Sequence, residues 1–368
     1  LVFPLMSDCQ RVGLWVLALA ASIGSVGAQS RFESWDANHD GKLAKEELPE
    51  GLRRNFERVD ADHDGFISKE EDAAVPNAGG NRPPVLPEGV RKVADLDYAG
   101  TGNPRQALDL FLPEKRASEK PLPVVVYIHG GAWLGGDKGG GAGRLGYLVA
   151  TGKFAGVSVG YRLSQEAIWP AQIHDCKAAI RWIKAHAAEH NLDPDRIAVC
   201  GDSAGGHLVA MLGVSNGLTD LEGTIGSNKN QNSKVKCVVD FYGPTDLLTI
   251  GGDHNNAESP ESKLIGGAVQ DHPDKARNAS PLEHVTTGDA PFLIVHGDKD
   301  PIVPYSQSVA LEKKLKAAGV PVVFITVAGG GHGQGFGRSV HEITAAYLGR
   351  QLLGESHDLT AKTVKAGE

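Results

Sequence analysis

Between residues 90 and 354, short apolar runs of strand length alternate with stretches of helical periodicity. Residues 124–128, 196–200, 292–295 and 322–327 are nearly continuous apolar runs, as a strand buried on both faces requires. Between them, Pro170–His190 sets Ile173, Cys176, Ala179, Ile180 and Ile183 on one stripe of a helix. This alternation predicts an α/β domain with a mostly parallel central sheet flanked by helices. Two polar stretches interrupt it, a surface loop over Asn216–Ser233 and a longer excursion over Gly251–Ala279. The residues after Glu355 are polar and predict a disordered tail, 355–368.

The N-terminal quarter differs. Arg11 precedes the apolar run Val12–Ala21, and Val26-Gly27-Ala28 suits signal peptidase, so residues 1–28 are expected to be a signal peptide with Gln29 as the mature start. The run is too short to span a membrane. Residues 29–76 form a small acidic segment, and the Pro/Gly-rich stretch 77–89 is expected to be a linker to a domain over 90–354.

Candidate chemistry sits at the ends of the apolar runs. Gly201-Asp202-Ser203-Ala204-Gly205 reads G-x-S-x-G between a strand and a helix, the setting that presents a serine hydroxyl on a sharp turn. The run 124–128 leads into His129-Gly130-Gly131-Ala132-Trp133, a glycine-rich loop whose N–H groups could face an oxyanion; Gly130, Gly131 and Ala204 are the expected donors. The run 292–295 leads into His296-Gly297-Asp298-Lys299-Asp300, and 322–327 into a loop carrying His332. A serine, an acid and a histidine thus follow in the chain order of an α/β-hydrolase.

The segments Leu108–Pro113, His129–Trp133, Gly160–Leu163, Trp169–Ala179, Gly201–His207, Tyr242–Asp246 and His296–Pro304 carry a resemblance. The chain resembles the esterase/lipase type of α/β-hydrolase, and in particular the BD-FAE-like carbohydrate esterases, near the hormone-sensitive-lipase-like group. The resemblance implies a serine carboxylester hydrolase acting on acetyl or feruloyl esters of polysaccharides, or on short-chain esters. In hydrolases with an acid loop H-G-x-x-D-x-x-V-P, the acid stands three residues before the Val. That maps to Asp300 and leaves Asp298 to cap the turn through its own backbone. The catalytic set is then Ser203, Asp300 and His332, with no cofactor for catalysis. His129 is expected to hold the oxyanion loop open through a hydrogen bond to backbone, and His296 to do similar work. Trp133, Trp169, Phe241, Tyr242 and Phe336 are candidates for an aromatic substrate pocket.

A second motif occurs twice. Residues 36–47 and 60–71 both match the twelve-residue EF-hand loop. The expected Ca²⁺ ligands are Asp36, Asn38, Asp40, the Lys42 carbonyl and Glu47 in the first loop. In the second they are Asp60, Asp62, Asp64, the Phe66 carbonyl and Glu71. Position 8 is apolar in both (Leu43, Ile67), as needed for the loops to pair. Two structural Ca²⁺ ions are expected, the second loop binding more tightly because it has more carboxylates. One helix, about Lys45–Val59, would serve both loops.

The formal net charge is −8, and residues 29–76 carry 13 acidic against 7 basic side chains. The rest of the chain is nearly neutral, which gives no basis for nucleic-acid or anionic-membrane binding. Cys9 falls in the expected signal peptide; Cys176, Cys200 and Cys237 remain, an odd number that does not read as a disulfide framework. The overall expectation is a secreted or periplasmic esterase with no membrane span after processing. A prolyl-oligopeptidase-like serine peptidase is one alternative, but it usually carries a β-propeller for which this chain has no room. A non-catalytic, calcium-dependent surface-binding protein is the other, and an intact triad argues against it.

Overall fold

The computed structural model describes Phe32, Trp35, Asp36, Asn38, residues 40–48, 56–60, Asp62, and residues 64–74, 86–359 and 362–368. The expected signal peptide, most of the expected linker and the middle of the helix expected between the two loops lie outside the described residues. The chain divides into two compact units, residues 1–80 and 81–368.

In the first unit, β1 (Lys42–Leu43) and β2 (Ile67–Ser68) pair antiparallel, with Leu43 opposite Ile67. Helices α1 (Phe56–Val59) and α2 (Lys69–Ala74) flank the second loop. Leu43, Ile67, Phe32, Leu48 and Phe56 are buried together. The apolar residue at position 8 of each loop therefore closes a small shared core, and Gly41 and Gly65 take the left-handed φ that the turn demands.

The second unit is built on a nine-stranded sheet. Its strands are β3 (Val90–Asp97), β4 (Ala107–Pro113), β5 (Leu122–Ile128), β6 (Ala155–Val159), β7 (Leu192–Asp202), β8 (Cys237–Phe241), β9 (Phe292–Gly297), β10 (Val322–Ala328) and β11 (Lys362–Lys365). The spatial order is β3-β4-β6-β5-β7-β8-β9-β10-β11. β4 runs antiparallel to both β3 and β6, and every other pairing is parallel.

The strands are apolar on both sides because each side has its own helical layer. Val124, Val126, Ile128 and Val199 point into one core with α4 (Ala171–Ala185), α5 (Ala204–Val214) and α10 (Ser306–Ala317). Val125, Tyr127, Ala198 and Cys200 point into the other, with α3 (Gly141–Val149) and α11 (Arg338–Leu348). The stripe foreseen on α4 is fully buried. The result is an α/β-hydrolase with a mostly parallel sheet.

Two expectations change. The polar tail is ordered over its described residues: β11 adds to the sheet edge, with Ile325–Ala328 in register against Lys362–Lys365. An edge strand needs one apolar anchor, here Val364, and a count of polar residues misses it. The Asn216–Ser233 loop is more than surface. Its short helix α6 (Thr219–Glu222) brings Glu222 onto Lys177 and Arg181 of α4, both at most 2% exposed. The Gly251–Ala279 excursion is ordered by helices α7 (Pro260–Ile265) and α8 (Pro273–Asn278), and α9 (Pro281–His284) follows it.

Candidate active site

The site lies at the carboxyl ends of β5, β7, β9 and β10. Ser203 follows β7 with φ 56° and ψ −120°, a conformation that L-residues avoid and that surrounding structure must enforce. Its N–H donates to the Phe241 carbonyl at 2.9 Å, and its carbonyl accepts from His207 N–H at 3.0 Å. A side chain at position 201 would strike the Gly205 carbonyl, and one at 205 the Ile128 carbonyl. The glycines of the motif are thus required by close approach of β5 to the turn.

Asp300 and His332 meet directly, with His332 Nδ1 donating to Asp300 Oδ2 at 2.8 Å. Asp300 Oδ1 accepts the N–H groups of Ile302 (2.8 Å) and Val303 (3.0 Å). Oδ2 also receives His296 Nε2–H at 3.2 Å. Burial pushes this carboxyl up, yet the hydrogen bonds from His296, His332 and the Ile302 amide outweigh it and hold Asp300 well below the usual carboxylate range. Asp298 does not cap its own turn. It accepts Gly329 N–H at 2.7 Å, pinning the start of the loop that carries His332. His296 works on the carboxylate as well as on backbone, an interaction that spacing alone does not reveal. Among the described residues no hydrogen bond joins the Ser203 hydroxyl to His332. Such contacts often tighten only with substrate bound.

The oxyanion loop abuts the serine: a Cβ on Gly130 would lie 3.3 Å from Ser203 Cβ. Gly131, Ala132 and Trp133 all have positive φ, so Ala132 occupies a position where glycine is the easy residue. His129 Nδ1 donates to the Gly130 carbonyl at 2.8 Å, and its ring stacks on Tyr161 with centroids 4.3 Å apart.

Of the aromatic candidates, Tyr242 and Phe336 line a cavity of about 410 Å³ together with Phe241, Tyr127, Tyr147, Arg144 and Asp202. Tyr242 packs on the His332 ring at 4.6 Å. Trp133 and Trp169 are not in this lining. Trp133 is 1% exposed and donates to His207 Nδ1, while Trp169 is buried and donates to Asn278. Both are core residues under the site. Arg144, which the sequence did not single out, pairs with Asp202 at 3.3 Å, and Tyr127 donates to the same carboxylate at 2.6 Å. Cys176, Cys200 and Cys237 are buried free thiols.

In the first unit the carboxylate oxygens of Asp60, Asp62 and Glu71 lie within 4.8 Å of one another. Asp60 accepts the amides of Asp64 and Gly65, and Glu71 those of Asp62 and Ser68. Asp36 and Glu47 repeat the pattern in the first loop, on Asp40, Gly41, Asn38 and Ala44. A hard cation with oxygen ligands fits such a converging carboxylate set. Ser68 Oγ donates to Glu71 Oε2 at 2.8 Å, so it braces position 12. Asp64 also pairs with Lys42 of the first loop at 3.2 Å.

The BD-FAE family profile matches residues 108–315, and an EF-hand profile matches residues 53–71. Esterase LipC of Mycobacterium tuberculosis is 32% identical over 239 residues, 63% of this chain and 57% of LipC. The chain spans about half the length of the curated relatives it matches. Among solved structures, a truncated carbohydrate esterase from gut microbiota is 35% identical with a TM-score of 0.68, covering 72% of this chain and 96% of that one. A bifunctional GH43-CE protein of Bacteroides eggerthii is 34% identical with a TM-score of 0.66, covering 71% and 35%.

Proposed function

The chain belongs to the BD-FAE family, and from that membership and the geometry of its site we propose that it is a serine carboxylester hydrolase. The observation that carries the reading is the Asp300–His332 contact beside a serine held on a strained elbow. His332 takes the Ser203 proton at Nε2, because Asp300 fixes the other ring nitrogen as Nδ1–H. Ser203 attacks the ester carbonyl, and the N–H groups of Gly130, Gly131 and Ala204 receive the oxyanion. His332 then protonates the leaving alkoxide, and a water activated by the same histidine releases the acid from Ser203.

The substrate class we propose is acetyl or feruloyl esters on polysaccharides, or short-chain esters. A cavity of about 410 Å³ whose lining includes Asp202 and Gly333, the chain neighbours of Ser203 and His332, presents Tyr242 and Phe336, and one similar solved structure is a carbohydrate esterase from gut microbiota. We further propose that the protein is secreted after removal of residues 1–28 and that the two EF-hand loops bind structural Ca²⁺, to which catalysis is indifferent. N-terminal sequencing of the exported protein tests the first point. Hydrolysis of p-nitrophenyl acetate, lost in Ser203→Ala, tests the activity. A panel of acetyl-xylan, feruloyl and short alkyl esters sorts the substrate, and no Ser203-dependent turnover on any of them would refute the reading.

A further inference from the structure

His254, in the excursion between β8 and β9, reaches the back of the acid loop. Its Nδ1 lies 2.9 Å from Glu261 Oε1, and its Nε2 lies 3.0 Å from the Ile302 carbonyl. A carbonyl oxygen only accepts, so Nε2 must carry a hydrogen. Nδ1 faces a carboxylate, and one proton must lie between them, whether on nitrogen or on oxygen. The His254–Glu261 pair therefore holds one proton more than a neutral imidazole beside a carboxylate.

The peptide that accepts from His254 is the one joining Ile302 to Val303. Its carbonyl receives His254 Nε2–H, and its N–H donates to Asp300 Oδ1 at 3.0 Å. Hydrogen bonds in such a chain polarise one another. We propose that His254, held in place by Glu261, is a positioning residue for Asp300: it fixes the 302–303 peptide, and its loss of a proton loosens the acid of the triad. The proposal rests on the esterase reading above.

The charges around His254 are set by three elements. Glu261 stands in the first turn of α7, is 5% exposed in its side chain, and has no partner for Oε2 among the described residues. Asp253 immediately precedes His254 in the chain. From the acid loop the facing group is the Ile302 carbonyl, with the Asp300 carboxylate behind the peptide. The Glu261 hydrogen bond, against a smaller effect of burial, and the nearby carboxylates hold the His254 imidazole above its ordinary value. Below that raised value both contacts persist. Above it a neutral ring can donate to only one partner. The charged Glu261 keeps the hydrogen, since charge-assisted bonds are the stronger, and a lone pair then faces the Ile302 carbonyl.

The test is the pH dependence of kcat for p-nitrophenyl acetate in the full chain, in wild type, His254→Gln and Glu261→Gln, with Ser203→Ala as the blank. We expect wild-type kcat to fall on the alkaline side. His254→Gln should lower kcat about five-fold at neutral pH, the worth of one ordinary hydrogen bond, abolish that alkaline fall, and leave KM within about two-fold. Glu261→Gln should move the fall to lower pH. A merely structural contact would change neither the shape nor the position of the profile. Wild-type kcat and profile in both variants would overturn the proposal while leaving the esterase reading intact. The downfield proton signal of the His332–Asp300 hydrogen bond, followed against pH in wild type and Glu261→Gln, reads the same relay without turnover. An identical pH of loss in the two proteins would refute the relay even if the esterase reading had failed or His254→Gln did not fold.

Discussion

Replacing Asp300 by Asn keeps its shape and removes its charge, and the structure says which bonds break. Oδ1 faces two backbone amides, those of Ile302 and Val303, and Oδ2 faces two ring nitrogens, His296 Nε2 and His332 Nδ1. An Asn has one acceptor and one donor end. Backbone amides cannot change role, so the acceptor stays with them and the NH₂ turns to the rings. His332 must then accept at Nδ1 and carry its hydrogen on Nε2, where it can no longer take the serine proton. The equivalent change in serine proteases lowers kcat by about 10⁴, or roughly 5 kcal/mol at 1.36 per ten-fold. Asp298→Asn is the control. Its side chain's one hydrogen bond among the described residues is to the Gly329 amide, which an Asn oxygen accepts equally well. We expect steady-state hydrolysis of p-nitrophenyl acetate to fall by three to four orders of magnitude in the first variant and by less than about three-fold in the second. Asp300→Asn retaining more than about a tenth of wild-type kcat, or Asp298→Asn suffering the greater loss, would refute the reasoning. The ionised form has a stability signature too. Its folded-state pKa is depressed, so the stabilisation is present above the unfolded value of about 3.9 and is lost as pH falls towards the folded one. Urea midpoints should fall less on the acid side in Asp300→Asn than in wild type, the remaining fall coming from other depressed carboxyls such as those of Asp97 and Glu222.

Asp240 gives the opposite sign: burial raises its carboxyl to about 6, with Oδ1 on the Gly243 amide and no partner for Oδ2 among the described residues. The cost of ionising it sets in as pH rises from about 3.9 to about 6, so Asp240→Asn should raise urea stability at pH 7, by at most about 3 kcal/mol, and not at pH 4. Removing residues 359–368 should lower kcat, because Ala366, Gly367 and Glu368 bond Ala328, Gly335 and Ser339 on both sides of His332; unchanged kcat would show that the loop holds itself. Calorimetry should find two Ca²⁺ per chain, with Glu71→Gln weakening the second site and EDTA leaving kcat for a small ester unchanged, since no step passes through a metal.

What the sequence reveals here follows from range. Strands buried on both faces announce themselves as apolar runs, and the elbow and the two twelve-residue loops are local chemistry whose spacing is fixed by one turn of backbone. Long-range partners leave no such mark. Nothing near Trp133 in the chain says that its indole donates to His207, 74 residues on, rather than lining a pocket. Arg144 reads as a helix-surface cation until the fold sets it against Asp202 beside the nucleophile. The last strand fails for another reason: at a sheet edge the backbone supplies most of the pairing and the side chains are free to be polar.

The strained backbone gathers at the site. Among the described residues, six non-glycine residues have positive φ, and four of them, Ala132, Trp133, Ser203 and Tyr242, lie in the oxyanion loop, at the nucleophile and beside it. Each costs on the order of 1–3 kcal/mol, and each of the three segments that hold them is tied down by backbone bonds. Ser203 N–H donates to the Phe241 carbonyl and Tyr242 N–H to that of Val295, while the Gly131 and Trp133 carbonyls accept from Leu134, Gly135 and Ser164. The strain is thus carried by peptides at the ends of β8 and β9 and in the loop after β6. Their positions are fixed in turn by two buried layers of side chains. This is why the chemistry sits at the carboxyl edge of the sheet and nowhere else in the unit. Only there do parallel strands end side by side, close enough for one strand's turn to hold the next residue in a conformation it would not choose.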